Sequence, residues 1–401
     1  TEAVKLANLG IAEQLRKNIL DSLEIAKIYN EKVSALQHQQ EGARVKKNCD
    51  MGISYCPNTQ EGLNLKGILY YKRAYPKGDM LLFELSNVRS MDKAVNILSQ
   101  LEKPDWNFSL GGYRYLAESM AHRGDYDSAD RYHRLFANLY AKFLQDTISP
   151  SEEVKQIVTN YRMLVPYNKV NINYSRRGSS PKDSIKMIQA LDALNKQHHS
   201  STFDVVNEGI YYTHGLYCVA DWYLIRKKGN AIGTKDIEQA LKHINRAIQL
   251  VKQQGYPGNL FQYNYAKCKA LTFANELTEA EVLIEDLLFF FRKSENFPFF
   301  LAQKGLIKAK MQQKDSALSI FHSAIKGIPG NEGLTENYSN FNPTDNFGHT
   351  KLILRIAEEL NTYYGEDPKV EKRIAKLYDI SLSQFEKSYS QRQFNKTYQT
   401  L

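Results

Sequence analysis

Residues 113–140, YRYLAESMAHRGDYDSADRYHRLFANLY, decide the fold. Apolar residues at helical spacing predict a first helix, carried by Tyr113, Leu116, Ala117 and Met120. Gly124 suits the left-handed conformation that ends a helix, and Asp125 suits the cap of the next one. Ala129 then supplies the small side chain that two antiparallel helices need where they cross at about 8–10 Å. The stretch therefore predicts a pair of packed antiparallel helices.

The same residues resemble the signature of a tetratricopeptide (TPR) repeat. The resemblance covers Tyr113-x-x-Leu116-Ala117-x-x-Met120, Gly124-Asp125-Tyr126 and Ala129. It is incomplete, since Ala117 replaces the usual glycine and Met120 the usual tyrosine. His133 and Phe136 also stand where phenylalanine and alanine are commoner, so the second helix departs from the family pattern.

Four further stretches repeat this arrangement around a small residue. Each pairs a first helix with a second helix that opens on alanine: Leu63, Gly67 and Tyr70 with Ala94, Leu98 and Leu101; Tyr217 and Ala220 with Ala240, Ile244 and Ala247; Cys268 and Leu271 with Leu277, Ala280, Ile284 and Leu287; Gly305 with Ala317, Phe321 and Ala324. The alanines are 35 residues apart from Ala94 to Ala129, 40 from Ala240 to Ala280, and 37 from Ala280 to Ala317. These spacings bracket the repeat of about 34 residues that is typical of TPR arrays.

The resemblance implies an all-α protein, a right-handed α-solenoid of antiparallel helix pairs with two long irregular insertions. Residues 145–205 carry three prolines, and we interpret Val170–Tyr174 within them as a loop or extended connector. Residues 327–350 are rich in Gly and Asn and form the second insertion. We divide the chain into an N-terminal TPR-like block (1–150), an irregular or degenerate connector (151–205) and a C-terminal TPR-like block (206–401).

In TPR proteins, residues beside the packing positions of each first helix face a concave groove that binds peptides or partner domains. Carried onto this sequence, those positions mix tyrosines with charges of both signs, a composition suited to protein recognition. The predicted partner-binding residues are Asn64, Tyr71, Arg114, Glu118, Tyr217, Asp221, Tyr265, Lys269 and Thr272. A plain solvated helix surface is the alternative interpretation of each of them.

Composition narrows the class of partner. The chain has 401 residues and a net charge of +9, but its cations are interspersed rather than grouped in the blocks that bind nucleic acid. We therefore expect a protein or peptide partner and no nucleic acid. No run approaches the ~18 apolar residues of a transmembrane helix. A cytoplasmic location is slightly favoured, and the missing initiator methionine leaves export open. The sequence does not predict the oligomeric state.

Catalytic and metal-binding patterns are not found, so we expect no enzyme activity and no cofactor. Glycine-rich phosphate loops, H-E-x-x-H and G-x-S-x-G do not occur. Cys49 and Cys56 fit no common zinc spacing, and a disulfide between them is left open. We interpret Cys218, four residues after His214, as a core residue, and the pair Glu358/Glu359 as solvated surface.

Two alternative functions remain beside the interaction scaffold. Residues 352–390 resemble the last repeat before the peptidase domain of bacterial CHAT-domain proteins, which are caspase-like proteins associated with TPRs. The motifs are Leu352–Ala357, Tyr363–Asp367, Ala375–Leu382 and Phe385–Ser390. This resemblance implies a regulatory arm. The other alternative is an exported helical-repeat binding protein paired with an outer-membrane transporter, although two tryptophans, Trp106 and Trp222, are few for stacking on sugars.

Overall fold

The structure is a computed structural model of the chain. It describes residues 2–17, 21–39, 42–74, 85–101, 105–146, 152–176, 181–199, 205–225, 232–254, 260–294, 296–342 and 347–391. The chain divides into two compact units, unit 1 (Thr1–Arg176 and Lys196–Asp204) and unit 2 (Arg177–Asn195 and Val205–Leu401). Within the described ranges all regular secondary structure is α-helix, which confirms the predicted all-α class.

The helices of unit 1 are α1 (Glu2–Arg16), α2 (Ser22–His38), α3 (Gly42–Tyr55), α4 (Gln60–Ala74), α5 (Leu85–Leu98), α6 (Trp106–His122), α7 (Tyr126–Asp146), α8 (Glu152–Arg162) and α9 (Leu164–Arg176). Each helix from α1 to α6 packs against the next one in the chain. Helix α4 also contacts α2 and α6, so alternate helices lie side by side.

Helix α10 (Pro181–His199) is divided between the units, since its residues up to Asn195 belong to unit 2 and those from Lys196 belong to unit 1. The other helices of unit 2 are α11 (Val205–Ile225), α12 (Thr234–Gln254), α13 (Leu260–Ala274), α14 (Leu277–Phe290), α15 (Phe297–Lys310), α16 (Lys314–Lys326), α17 (Phe347–Tyr364) and α18 (Pro368–Gln391). Successive helices again pack together from α11 to α16, and α17 packs with α18. Helix α13 contacts α11 and α15, and α15 contacts α17.

The five predicted helix pairs correspond to α4–α5, α6–α7, α11–α12, α13–α14 and α15–α16. The predicted small residue of each second helix is fully buried: Ala94, Ala129, Ala240, Ala280 and Ala317. The prediction that Ala94 opens its helix is wrong, because α5 begins at Leu85 and Ala94 lies near its end. The two helices of a pair approach closely, since the Cys268 thiol of α13 lies 3.4 Å from the Ala280 carbonyl oxygen of α14. A Cβ on Gly67 would come within 2.6 Å of Leu98 carbon atoms. The predicted pairing is therefore confirmed at the crossing points.

Three of the turns between paired helices have the same backbone geometry. Gly124 has a φ of 76°, as expected for the residue that ends a helix, and Asp125 Oδ1 accepts from the Ser128 N–H at 3.2 Å. Asn275 and Gln312 occupy the equivalent positions with φ of 64° and 62°. In each turn the following residue donates its N–H to the carbonyl five residues earlier, at 2.9–3.0 Å. The chain is thus repeat-like at the level of individual hydrogen bonds.

Replacing a non-glycine turn residue with glycine is expected to stabilise the fold. Replacing Gln312 with glycine is expected to raise the free energy of unfolding by about 0.5–1 kcal/mol, because glycine has no Cβ to clash in the left-handed region. The reciprocal change, Gly124→Ala, should lower it by about 1 kcal/mol. Urea-induced unfolding followed by circular dichroism measures both. Equal stability of the Gln312→Gly variant and the parent would contradict the expectation.

The predicted loop at Val170–Tyr174 is wrong, because these residues belong to α9. Pro166 does not interrupt this helix, since it lies in the first turn, where backbone N–H groups have no partner within the helix. Tyr167 and Val170 are buried three residues apart, at helical spacing. The described part of 145–205 therefore consists largely of helices α8, α9 and α10.

The second predicted irregular stretch is confirmed over Gly327–Asn342, which consists of turns without a helix. It is nonetheless part of the core. Ile328, Leu334 and Tyr338 are buried and pack in one hydrophobic cluster with residues of α15 to α18. Asn331 closes the loop, because its side chain accepts from the Asn342 N–H at 2.7 Å and donates to the Asn342 carbonyl at 3.0 Å.

Candidate functional site

All nine predicted groove residues lie on the first helices of predicted pairs. They are Asn64 and Tyr71 on α4, Arg114 and Glu118 on α6, Tyr217 and Asp221 on α11, and Tyr265, Lys269 and Thr272 on α13. Helices α4 and α6 contact each other in unit 1, as do α11 and α13 in unit 2. The residues therefore form two separate sets, one in each unit.

In unit 2, an ion pair joins α11 to α13. The Lys269 ammonium donates to the Asp221 carboxylate, which is only 5% exposed. The same ammonium lies 5.6 Å from the centre of the Tyr265 ring, within the range of a cation–π contact. The structure thus brings these three predicted residues together. Asp221 is buried and pairs with Lys269, so it does not face solvent.

Tyr217 belongs to an aromatic cluster at the same helix contact. Its ring stacks on His214 at 5.2 Å and lies 5.4 Å from the ring of Tyr263 on α13. Tyr263 is fully buried, whereas Tyr217 is half-buried. The cluster holds the Tyr217 ring in place while leaving part of it accessible, as a recognition residue requires.

Two residues that the sequence analysis missed connect three first helices of unit 2. Gln303 on α15 donates to Thr272 Oγ1 at 2.9 Å, and its side-chain oxygen accepts from Arg355 on α17 at 2.6 Å. Arg355 also donates to the Tyr265 hydroxyl at 3.3 Å. We call Thr272, Gln303, Arg355 and Tyr265 the arginine network. Thr272 is 1% exposed, so it supports the network from inside.

In the sequence, Gln303 and Arg355 stand out only as polar residues next to apolar ones. Gln303 interrupts the apolar run Phe297–Ala302, and Arg355 stands alone within Leu352-Ile-Leu-Arg-Ile-Ala357. A buried polar residue is hydrogen-bonded as a rule, so each of these isolated residues implies a partner elsewhere. Which partner it is depends on the tertiary structure.

Glu359 adds a carboxylate beside the arginine network. Burial opposes the charge on Arg355, yet the neighbouring Tyr265 and Glu359 raise the pKa of its guanidinium above the ordinary value. Burial also raises the pKa of Glu359, and Arg355 only partly offsets that rise across a separation of 4.0 Å. The interpretation of Glu358/Glu359 as solvated surface is therefore right for Glu358, which is exposed, and wrong for the half-buried Glu359.

The arginine network thus joins α13, α15 and α17, and the ion pair of Lys269 with Asp221 joins α13 to α11. Tyr217, Tyr265, Lys269 and Arg355 are half-buried, and Asp221, Thr272 and Gln303 are buried behind them. We call the four half-buried residues the unit 2 strip. It offers phenol, ammonium and guanidinium groups, which donate hydrogen bonds to carbonyl and carboxylate oxygens.

The predicted residues of unit 1 are less connected. Arg114 and Glu118 pair with each other at 3.0 Å, and the buried Glu118 also accepts from Asn168 of α9 at 3.3 Å. The Tyr71 ring packs edge-on against Phe108 of α6 at 5.0 Å. Asn64 is half-buried on α4.

A second ionic cluster in unit 1 braces α7 against α9. Asp130 accepts from Lys169 at 2.6 Å and from Arg176 at 2.7 Å. Burial alone would raise the pKa of Asp130, but these two hydrogen bonds outweigh it and lower the pKa below its ordinary value. A carboxyl group with a lowered pKa stabilises the fold above its ordinary pKa and loses that contribution as the pH falls through the folded-state value.

Asp130→Asn is accordingly expected to lower the free energy of unfolding by about 1–2 kcal/mol at pH 7, since two charged hydrogen bonds weaken. The deficit should shrink as the pH is lowered below about 4, where the parent carboxylate becomes protonated. Urea unfolding at a series of pH values measures this. Glu31→Gln, at an exposed position on α2, is the control and should change stability by less than about 0.5 kcal/mol. A deficit that is constant with pH would contradict the assignment.

The pair His214 and Cys218 is unsuited to nucleophilic catalysis. Cys218 is 1% exposed, and burial raises the pKa of its thiol far above the ordinary range. Burial also lowers the pKa of His214, so the imidazole is neutral where a thiolate would need a cationic partner. The interpretation of Cys218 as a core residue is confirmed. Cys49 and Cys56 are free thiols in the structure.

Neither tryptophan forms an open platform. Trp222 is 1% exposed, and the half-buried Trp106 packs against Phe143 at 5.4 Å. These placements weigh against sugar stacking on tryptophan. In the described part of the chain, no group of three His, Cys, Asp or Glu side chains is arranged to hold a metal ion. The described helices include none whose length and apolarity would allow it to cross a membrane.

No protein-family model matches this sequence, and no match was found among curated proteins. The resemblances to TPR repeats and to CHAT-domain proteins therefore stay predictions.

Proposed function

We propose that this chain is a TPR-like α-solenoid whose function is to bind a peptide or a partner domain along the unit 2 strip. The observation that carries the proposal is that the strip spans three helices, α11, α13 and α17, with the buried Gln303 of α15 bridging α13 and α17. In a solenoid of helix pairs, side-by-side first helices form the concave surface, which is the usual binding face of such folds. The helix pairing and the identical turns support this architecture.

The chemistry of the strip favours a polypeptide ligand. Tyrosine and arginine are the residues most often found at energetic hot spots of protein interfaces. Tyr217 and Tyr265 are each fixed by neighbours, Tyr217 by the aromatic cluster and Tyr265 by Arg355 and by the Phe299 carbonyl at 3.4 Å. Pre-fixed side chains lose little conformational entropy on binding, which favours affinity.

The test is a selection from a displayed library of random twelve-residue peptides on the full chain. We expect enriched peptides to share a consensus and to bind with micromolar affinity. Tyr217→Ala and Tyr265→Ala should each weaken that binding about tenfold or more, the effect of losing one hot-spot side chain. Arg246→Ala is the matched control, since Arg246 is exposed on the second helix α12. It should leave the affinity unchanged.

Two outcomes would contradict the proposal. The first is that no peptide is enriched over a library panned on an unrelated helical protein. The second is that enriched peptides bind the Tyr217→Ala/Tyr265→Ala double variant as well as they bind the parent chain. Circular dichroism of each variant must match the parent, so that loss of binding reports on the strip.

A further inference from the structure

The C-terminal end of α14 exposes two adjacent phenylalanines. Phe289 is 68% exposed and Phe290 is 73% exposed, and they are adjacent in the chain. Exposed Arg292 and Lys293 follow after Phe291. We call these four residues the α14 tip. Burying such a pair of aromatic side chains is strongly favourable, so their exposure calls for an explanation.

The tip is held rigidly by the residue at its centre. Phe291 ends α14 and packs against Phe261 of α13 at 5.1 Å and against Phe300 of α15 at 6.0 Å. Its backbone N–H donates to the Leu287 carbonyl at 3.0 Å. The two exposed rings precede Phe291 in the chain, and the two cations follow it. The packing of Phe291 therefore anchors both groups to the helix core.

The two rings form a single apolar protrusion at the end of α14. Their centres lie 5.4 Å apart and their planes are nearly perpendicular, at 81°. Because both rings stand out from the helix, they can enter the headgroup boundary of a lipid layer together without a preformed groove to receive them.

The charge at the tip identifies the kind of lipid. The Arg292 guanidinium lies 5.9 Å from the Phe289 ring centre, so the cation accompanies the apolar group. Lys293 adds a second exposed cation, and the chain as a whole carries a net charge of +9. Exposed Asp286 lies one helical turn behind the rings, away from the end of the helix. A basic protein with cations beside its exposed rings is attracted to anionic surfaces.

We propose that the α14 tip binds an anionic lipid surface. Phe289 and Phe290 enter the boundary between headgroups and acyl chains, and Arg292 and Lys293 bind the phosphate or carboxylate groups above it. Two rings and two cations make this a reversible, peripheral attachment. It is independent of the unit 2 strip, so either proposal can fail alone.

The experiment is co-sedimentation of the full chain with vesicles of phosphatidylcholine alone and of phosphatidylcholine with 30 mol% phosphatidylserine. We expect binding to the anionic vesicles to exceed binding to the neutral ones by about tenfold or more at low salt. Phe289→Ser/Phe290→Ser should reduce the partition coefficient about tenfold or more. Arg292→Glu/Lys293→Glu should abolish the preference for anionic vesicles.

Leu382→Ser is the matched control, because Leu382 is 61% exposed on α18 of the same unit. It should leave the partition coefficient unchanged. Equal binding by the Phe289→Ser/Phe290→Ser variant and the parent would overturn the proposal, as would equal binding to both kinds of vesicle. So would a tip that instead mediates self-association, seen as a lower mass in sedimentation equilibrium when the two phenylalanines are replaced.

Discussion

Replacing Arg355 with leucine is expected to lower the free energy of unfolding by about 2–4 kcal/mol, because the change strands several hydrogen-bonding groups at once. Gln303 is fully buried, and its side-chain oxygen would lose the donor that lies 2.6 Å away. The Tyr265 hydroxyl would lose a donor as well, and Glu359 would lose its cation. The Arg355 side chain is 31% exposed, which limits the loss compared with a fully buried ion pair.

Hydrogen exchange of the α15 and α17 amides, together with urea unfolding, measures the effect. Arg246→Leu is the control, since Arg246 is exposed on α12 and donates to Gln249 in the same helix at 3.1 Å. It should change stability by less than about 0.5 kcal/mol. Adding Gln303→Leu to Arg355→Leu should cost less than the sum of the single changes, because both partners are then apolar. Strict additivity would contradict a direct interaction between the two residues.

The second large effect is expected at the crossing of α15 and α16. A Cβ on Gly305 would lie 2.7 Å from Cδ1 and 2.8 Å from Cε1 of Phe321, a ring that is only 1% exposed. Gly305→Val must therefore push the two helices apart or force Phe321 from its rotamer. We expect the free energy of unfolding to fall by about 2–3 kcal/mol, as for other overpacked cores.

A matched control and a rescue sharpen this prediction. Gly333→Val places the same side chain at an exposed position where nothing lies within 4 Å of the new Cβ, so it should be close to neutral. Phe321→Leu in the Gly305→Val background should recover at least about 1 kcal/mol, because the smaller side chain vacates the crossing point. If the double variant is as unstable as the sum of the two single ones, the two residues do not oppose each other in solution.

The ion pairs and hydrogen bonds of the first helices decide which predicted groove residues are suitable for substitution in a binding test. Asp221, Glu118 and Thr272 are buried and bonded within the protein, so substituting them would disturb helix packing as well as any binding. Tyr217 and Tyr265 are half-buried and are the better probes of a partner. All nine residues lie on first helices, as predicted, but only the tertiary structure shows which of them are buried and which are partly exposed.

Much of the fold could be predicted because its signals are local. A small residue at a crossing point and a glycine at a helix end act within a few residues of their own position, as Ala129 and Gly124 illustrate. The α9 helix was missed because Pro166 and the alternation of Val170–Tyr174 are equally consistent with an extended segment. Only packing against α6 and α7 decides between the two.

The sequence by itself determined the all-helical class, the five helix pairs and the residues at their crossings, since helical spacing and residue size are written along the chain. The tertiary structure alone decided which polar side chains meet. Gln303 and Arg355 are 52 residues apart, and Thr272 precedes Gln303 by 31. No local pattern encodes such a contact, because it depends on how successive helix pairs stack. The physical reason is that a side chain's burial and partners are set by the helices beside it, not by its neighbours in sequence.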